Sequence, residues 1–188
     1  MAPISFLISF TSDGLEEIAE IAWRVNQSTH TRAASAASAF DNGKSLLARR
    51  GVPHITATDT NPRAIACARA NLQRLGLEKQ VQIEAVDLFP AARADLIVCN
   101  PPWLPAKPTS AIEAALYDPG SAMLQGFLNG AAAHLNPGGE AWLILSDLAE
   151  HLGLRTREQL LGWIEAGGLQ VVERRDIKPR HPRAADAT

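Results

Sequence analysis

Cysteine is scarce in this chain: the 188 residues hold two, Cys67 and Cys99. They stand far apart, with no metal-ligand spacing around either. That excludes a disulfide-dense scaffold and points to free thiols in a cytoplasmic protein. Long apolar runs are missing too, since no stretch reaches the roughly 20 residues that a membrane span needs. The N-terminal "MAPISFLISFTSDG" has a short apolar run, but it lacks the basic leader and small-residue cleavage pattern of a secretory signal. Nor is charge of one sign in excess. Lys and Arg number 18 against 20 Asp and Glu, for a formal net charge of -2. Such a balance gives no global pull toward nucleic acid or an anionic membrane. His134 and His151 have no partner at ligand spacing, so surface histidines are expected there and no metal site. There is no internal repeat. What is present is the profile of an ordinary soluble domain: 46% hydrophobic and 20% charged residues. The length allows one domain with a real core and is tight for two.

The chain changes character near residue 46. Before it, "DGLEEIAEIAWRV" (Asp13 to Val25) reads as an amphipathic helix capped by Asp13. "NQSTHTRAASAASAFDNGKS" then reads as a loop or weakly ordered stretch, rich in Ser, Ala and Thr. From Ser45 on, strands and helices alternate. "SLLARRG" ends a helix, with Arg49 and Arg50 in its last turn and Gly51 as the stop. "HITATDTN", "VQIEAVDLF", "ADLIVCN", "EAWLILSD" and "LQVVERRDI" read as strands. "PRAIACARANLQRLG", "SAMLQGFLNGAAAHL" and "TREQLLGWIEAGG" read as helices, and "NPGG" as a turn. Trp142 and Trp163 are expected in the core. The basic end, Arg174, Arg175, Lys178, Arg180 and Arg183, reads as a solvated tail. The domains expected are therefore an atypical segment 1–44, an α/β domain 45–178 and a loose tail 179–188. The α/β domain is a Rossmann-like, mostly parallel sheet with helices on both faces.

In such sheets ligands sit at the carboxyl ends of the strands. The residues found there are Asp59, Asp87, Asn100 and the pair Ser146-Asp147. A carboxylate such as Asp59 can accept from both hydroxyls of a ribose. The competing reading is a cap, because Asp59, Thr60 and Asn61 precede a proline-opened helix. Asp87 could accept from an exocyclic amine, with Leu88 packing on the ring. The sharpest signal is Asn100-Pro101-Pro102-Trp103. A planar amide or amine nitrogen that must attack an electrophile can be held through its two N–H groups by two acceptors, which bias it toward tetrahedral geometry. The Asn100 side-chain oxygen and the Pro101 carbonyl are candidates for those acceptors. The prolines stiffen the backbone and offer no competing N–H, and Trp103 gives a flat wall.

Residues 46 to 177 resemble the class I S-adenosyl-L-methionine-dependent methyltransferases with an Asn-Pro-Pro-aromatic motif. That subgroup includes the release-factor glutamine methyltransferases and the amino-methyltransferases of nucleic-acid bases. The resemblance lies in "ATDTNPRAIACARANLQRLG", "VDLFP", "DLIVCNPPW" and "HLNPGGEAWLIL", and "ALYDPGSAMLQGFL" is similar to the segment after the catalytic loop in the release-factor type. It implies a cofactor site at Asp59, Thr60, Asp87, Leu88, Asn100 and Gly43, and a grip on the substrate nitrogen at Asn100, Pro101, Pro102 and Trp103. The implied reaction is methyl transfer to nitrogen, with a protein amide or small amine favoured over a nucleic-acid base. Two departures stand out. The first strand should end in a Gly-rich turn about 20 residues before Asp59, yet "SAFDNGKSLLARRG" has no Gly-x-Gly and "RAASAASA" is a poor buried strand. The family also returns with one more antiparallel strand after "LQVVERRDI", for which "RHPRAADAT" has no apolar alternation. A non-catalytic relic that keeps the sheet but binds no cofactor is thus the alternative. The sequence leaves oligomeric state open.

Overall fold

The computed structural model describes residues 1–9, 32–37, 48, 52–105 and 117–177. The helix expected at 13–25, the turn carrying Gly43, all of "SLLARRG" but Ala48, and the basic residues beyond 177 lie outside the described residues.

Seven strands form one sheet: β1 (Ala2–Ser9), β2 (Arg32–Ala37), β3 (His54–Thr58), β4 (Val81–Glu84), β5 (Ala94–Asn100), β6 (Leu135–Leu145) and β7 (Leu169–Ile177). Their order is β4-β3-β2-β5-β6-β1-β7, and every pairing is parallel. Among the described residues four α-helices accompany them: α1 (Pro62–Leu75), α2 (Ala122–His134), α3 (Leu148–His151) and α4 (Arg157–Ala166).

Local chemistry sets the helix ends. The Asn61 side chain accepts the Arg63 N–H at 2.9 Å, and Pro62 opens α1 where no N–H is needed. Gly76 closes α1 at φ 68°, a left-handed value that glycine adopts without strain. Thr156 and Gln159 form a reciprocal capping box on α4.

Packing divides along the two faces of the sheet. In β5, Ala94, Ile97 and Cys99 point into one core with Leu124, Phe127 and Leu128 of α2 and Leu160 and Ile164 of α4. Leu96 and Val98 point the other way, to Leu72 of α1, Val52, Trp142 and Ile144. From Leu96 to Cys99 the side chains alternate as a strand covered on both faces requires, and the register shifts between Ala94 and Leu96. Burying one such aliphatic side chain contributes about 1.5–3 kcal/mol, set against the entropy of ordering it. Trp142 is fully buried, and Trp163 packs partly against the first core.

Three expectations are corrected. The Ser/Ala-rich stretch was expected to be loop, yet Arg32–Ala37 is a strand between β3 and β5. Backbone pairing on both edges overrides the weak strand preference of Ala and Ser. The N-terminal apolar run is β1, inside the sheet between β6 and β7, with Ile4 and Ser5 buried. It fills, in parallel, the place beside β7 for which the C-terminal tail had no candidate. Ala2–Ser9 and Arg32–Ala37 thus belong to the same sheet as the strands after residue 45. Finally, "NPGG" is not a free turn but an excursion within β6. Leu135 pairs with Ala94 and Glu140 with Leu96, so the pairing shifts across it. Asn136 Nδ2 donates to Asp95 Oδ1 at 2.7 Å and pins the excursion to β5.

Candidate functional site

Register brings the candidate residues to one end of the sheet. Ala36 of β2 pairs with both Thr58 and Cys99, and Ala37 pairs with Asn100. Thr58 in turn pairs with Glu84. Strands β3, β4, β2 and β5 therefore stop at one level, with Asp59, Asp87 and Asn100 just beyond or at their ends. β2 ends at Ala37, between β3 and β5; segment 38–44, with Gly43, lies outside the described residues.

Asp59 is half-buried. Its Oδ1 accepts the Asn61 N–H at 2.7 Å, while its own N–H donates to the Glu84 carbonyl at 3.3 Å. The cap of α1 is thus Asn61 and not Asp59. The Asp59 carboxylate shapes the turn, and Thr60 lies exposed in that bend.

Asp87 is exposed and Leu88 half-buried in the loop from β4 to β5. Thr58 Oγ1 donates to the Leu88 carbonyl at 2.7 Å, tying this loop to the end of β3 beside Asp59. Leu88 has φ 55°, a left-handed conformation that costs a non-glycine residue about 1 kcal/mol or more. Its side chain and that of Phe89 dock on α2 through two notches. A methyl group at Gly126 would lie 2.8 Å from Leu88 Cδ1, and one at Gly130 would strike the Phe89 ring. Only glycine leaves that room. Phe89 also stacks on His134, centroids 4.3 Å apart, and His134 Nδ1 lies 2.9 Å from the Gly130 carbonyl oxygen. His134, expected at the surface, is thus half-buried in a packing role, whereas His151 is exposed. Leu88 packs on the helix in this structure.

Asn100 ends β5; Pro101 and Pro102 are buried and Trp103 is half-buried. The Trp103 indole N–H donates to Asn100 Oδ1 at 3.2 Å. Indole is a donor only, so this bond fixes the flip of the Asn100 amide with oxygen toward the ring. A second lone pair remains on that oxygen. Ser146 and Asp147 follow β6. Ser146 Oγ accepts the Leu148 N–H at 3.1 Å, and Asp147 Oδ2 lies 3.3 Å from His151 Nε2. They shape the start of α3.

Sequence reasoning missed three contributors. Thr58 is one. Asp118 and Arg155 are the others, both nearly fully buried at 5% and 2% exposure. The signal for Asp118 was there: an Asp-Pro pair before an apolar helix marks a cap. Arg155 carried no such signal, because an arginine in a polar loop reads as solvated. Burial pushes the Cys99 thiol well above its usual range, and the Asp118 charge adds to the effect. Among the described residues no cluster of three or more His, Cys, Asp or Glu is placed to hold a metal. No helix among them is long and apolar enough to cross a membrane.

Residues 43–162 match the model of the methyltransferase small domain family. The chain belongs to that family. The match begins at Gly43, so β1 and β2 lie before it. Over 137 residues, 66% of this chain and 47% of the relative, the chain is 34% identical to a release factor glutamine methyltransferase of Cereibacter sphaeroides. It is 36% identical over 90 residues, 48% of this chain and 23% of the relative, to ribosomal RNA small subunit methyltransferase C of Erwinia tasmaniensis. The methyltransferase small domain here thus spans less than half the length of both relatives. Among solved structures, ribosomal protein L11 methylase of Lactobacillus delbrueckii subsp. bulgaricus superposes with a TM-score of 0.52 at 18% identity, covering 82% of this chain and 70% of that one. At that identity the likeness shows the Rossmann-like fold.

Proposed function

We propose that this methyltransferase small domain transfers a methyl group from S-adenosyl-L-methionine to a substrate nitrogen. The acceptor favoured is a protein amide or small amine over a nucleic-acid base. The observation that carries the reading is the placement of Asn100-Pro101-Pro102-Trp103 at the same end of the sheet as Asp59 and Asp87.

The donor and acceptor set fits the nucleoside part of the cofactor. Asp59 is a carboxylate at the end of β3, the group type that accepts from ribose hydroxyls, and Asp87 is an exposed acceptor held near it through the Thr58–Leu88 bond. Gly43 and its neighbours would meet the methionine part. When bound, the cofactor supplies an electrophilic methyl group on a sulfonium. The chain's own part is to bind, orient and exclude water. Asn100 Oδ1 and the Pro101 carbonyl accept the two N–H groups of the acceptor nitrogen and localise its lone pair. Trp103 holds the Asn100 amide in the required flip and covers the substrate. No strong general base is needed, because alignment in a dry pocket supplies most of the rate. Two free thiols, Cys67 and Cys99, agree with a cytoplasmic setting.

Calorimetric titration tests this. The chain should bind S-adenosylhomocysteine at least tenfold tighter than adenosine, about 1.4 kcal/mol, if the segment after β2 contacts the methionine part. Asp59→Ala should weaken binding by about 1.5–3 kcal/mol, the scale of a lost hydrogen bond to a charged group. Asn100→Ala should weaken binding far less than Asp59→Ala and remove turnover. Binding of neither compound would instead establish the non-catalytic relic.

A further inference from the structure

Trp103 is followed by Leu104, whose carbonyl accepts the Asp118 N–H at 2.7 Å. Leu104 also forms a parallel bridge with Tyr117. The chain that leaves the end of β5 through the two prolines is therefore fastened again at Asp118. The Asp118 side chain faces the other way. Its Oδ1 accepts the Met123 N–H at 2.9 Å and its Oδ2 accepts the Leu124 N–H at 3.1 Å. Two of the otherwise unsatisfied N–H groups of α2 are thereby used, and a negative charge sits at the positive end of the helix dipole.

A helix cap alone does not explain this arrangement. The residue directly before α2 is Ser121, a good capping type. Yet Ser121 has φ 57° and makes no side-chain cap bond. The capping comes from three residues further back, from the one residue whose N–H also holds Leu104. Asp118 itself is buried, at 5% exposure. The Asp118 charge reaches the Cys99 thiol at the end of β5 and the Arg155 guanidinium in the loop between α3 and α4. Burial pushes Arg155 below the usual arginine range, while Glu150 and Asp118 oppose that shift. Arg155 Nε and Nη2 are buried and have no hydrogen-bond partner among the described residues.

We propose that Asp118 is the positioning residue of the acceptor loop, clamping segment 100–104 to the start of α2 through its N–H on one side and its carboxylate on the other. Its influence runs from the Asp118 N–H to Leu104, from Leu104 to the adjacent Trp103, and through the indole N–H to the Asn100 oxygen. The proposal rests on the reading of Asn100 to Trp103 as the grip on the acceptor nitrogen. It adds the residue that holds the grip in place.

The test reads the loop and the cofactor site separately. Asp118→Asn keeps a good capping residue and serves as the folding-competent variant; Asp118→Ala removes the carboxylate outright. Trp103 exposure is measured by acrylamide quenching, taking the difference between each protein and its Trp103→Phe form. S-adenosylhomocysteine affinity is measured by calorimetry, and methyl transfer from S-adenosylmethionine is followed with a glutamine-containing tripeptide amide as the probe acceptor. The clamp predicts at least threefold greater Trp103 quenching in the variants. It predicts cofactor affinity within twofold of the parent and a tenfold or greater loss of kcat for the probe. Unchanged Trp103 quenching in a folded Asp118→Asn protein overturns the proposal. So does a parallel loss of cofactor affinity, which would make Asp118 a support of the whole sheet. A parent protein that binds the cofactor but transfers nothing to the probe counts against the amide reading, while the quenching result still decides the clamp.

Discussion

Strands β2 and β5 lie side by side in the sheet and could hardly differ more in how they are specified. β5, "ADLIVCN", alternates its side chains between two cores, and five of its seven residues, Ala94 and Leu96 to Cys99, are buried. β2, "RAASAA", has no branched or aromatic residue. It holds its place by backbone pairing to β3 on one side and β5 on the other. One strand is fixed by what its side chains bury and the other by where its neighbours leave a gap. The sheet needs both, since β2 carries the register that levels Asp59 with Asn100.

The strongest way to break this comparison is a proline in β2. Every N–H that β2 directs at β3 or β5 serves a ladder, so Ala34→Pro removes a bond in the middle of the sheet and its ring blocks the pairing. Loss of the cooperative thermal transition is expected, and an unchanged melting curve would show that β2 is dispensable. Next in size is Leu96→Ala in β5, a fully buried side chain. It should cost about 2–5 kcal/mol in denaturant titration. By contrast Ala36→Gly in β2 should cost only about 0.5–1 kcal/mol, the backbone term. A cost for Ala36→Gly equal to that of Leu96→Ala would erase the distinction between the strands. The smallest effect is a labelling pattern in the unaltered protein. Cys99, buried beside Ala36 in register and with its thiol pushed up by burial, should resist a thiol reagent at pH 8. Cys67, exposed on α1, should react. One thiol should be counted in the native state and two after denaturation. Two in the native state would mean that the β2–β5 seam opens.

Much of this was legible in the residues, and for physical reasons. Short β-branched or apolar runs marked β3, β5 and β6, the Asn61-Pro62 start and Gly76 stop marked α1, and the ends of such runs picked out Asp59, Asp87 and Asn100. Each of these signals is local: a cap, a turn or a buried face leaves its print within a few residues. The Asn100 loop was visible for the same reason, because its chemistry lies in four consecutive residues. Asp118 and Arg155 were not visible as part of it. They meet the end of β5 only through folding, and a buried arginine reads like any solvated one until its surroundings are known. Thr58 was likewise an ordinary strand residue until the Leu88 carbonyl came within 2.7 Å.

The sequence by itself determined the α/β alternation after residue 52, the ends of α1 and the Asn-Pro-Pro-Trp motif at the end of β5, since these depend on neighbours a few residues apart. Tertiary structure alone decided that "RAASAA" is a central strand and that the N-terminal "APISFLIS" stands between β6 and β7. Both choices were made by unpaired backbone donors and acceptors on strands distant in the chain. A strand with weak side-chain preference goes where those hydrogen bonds are left to make.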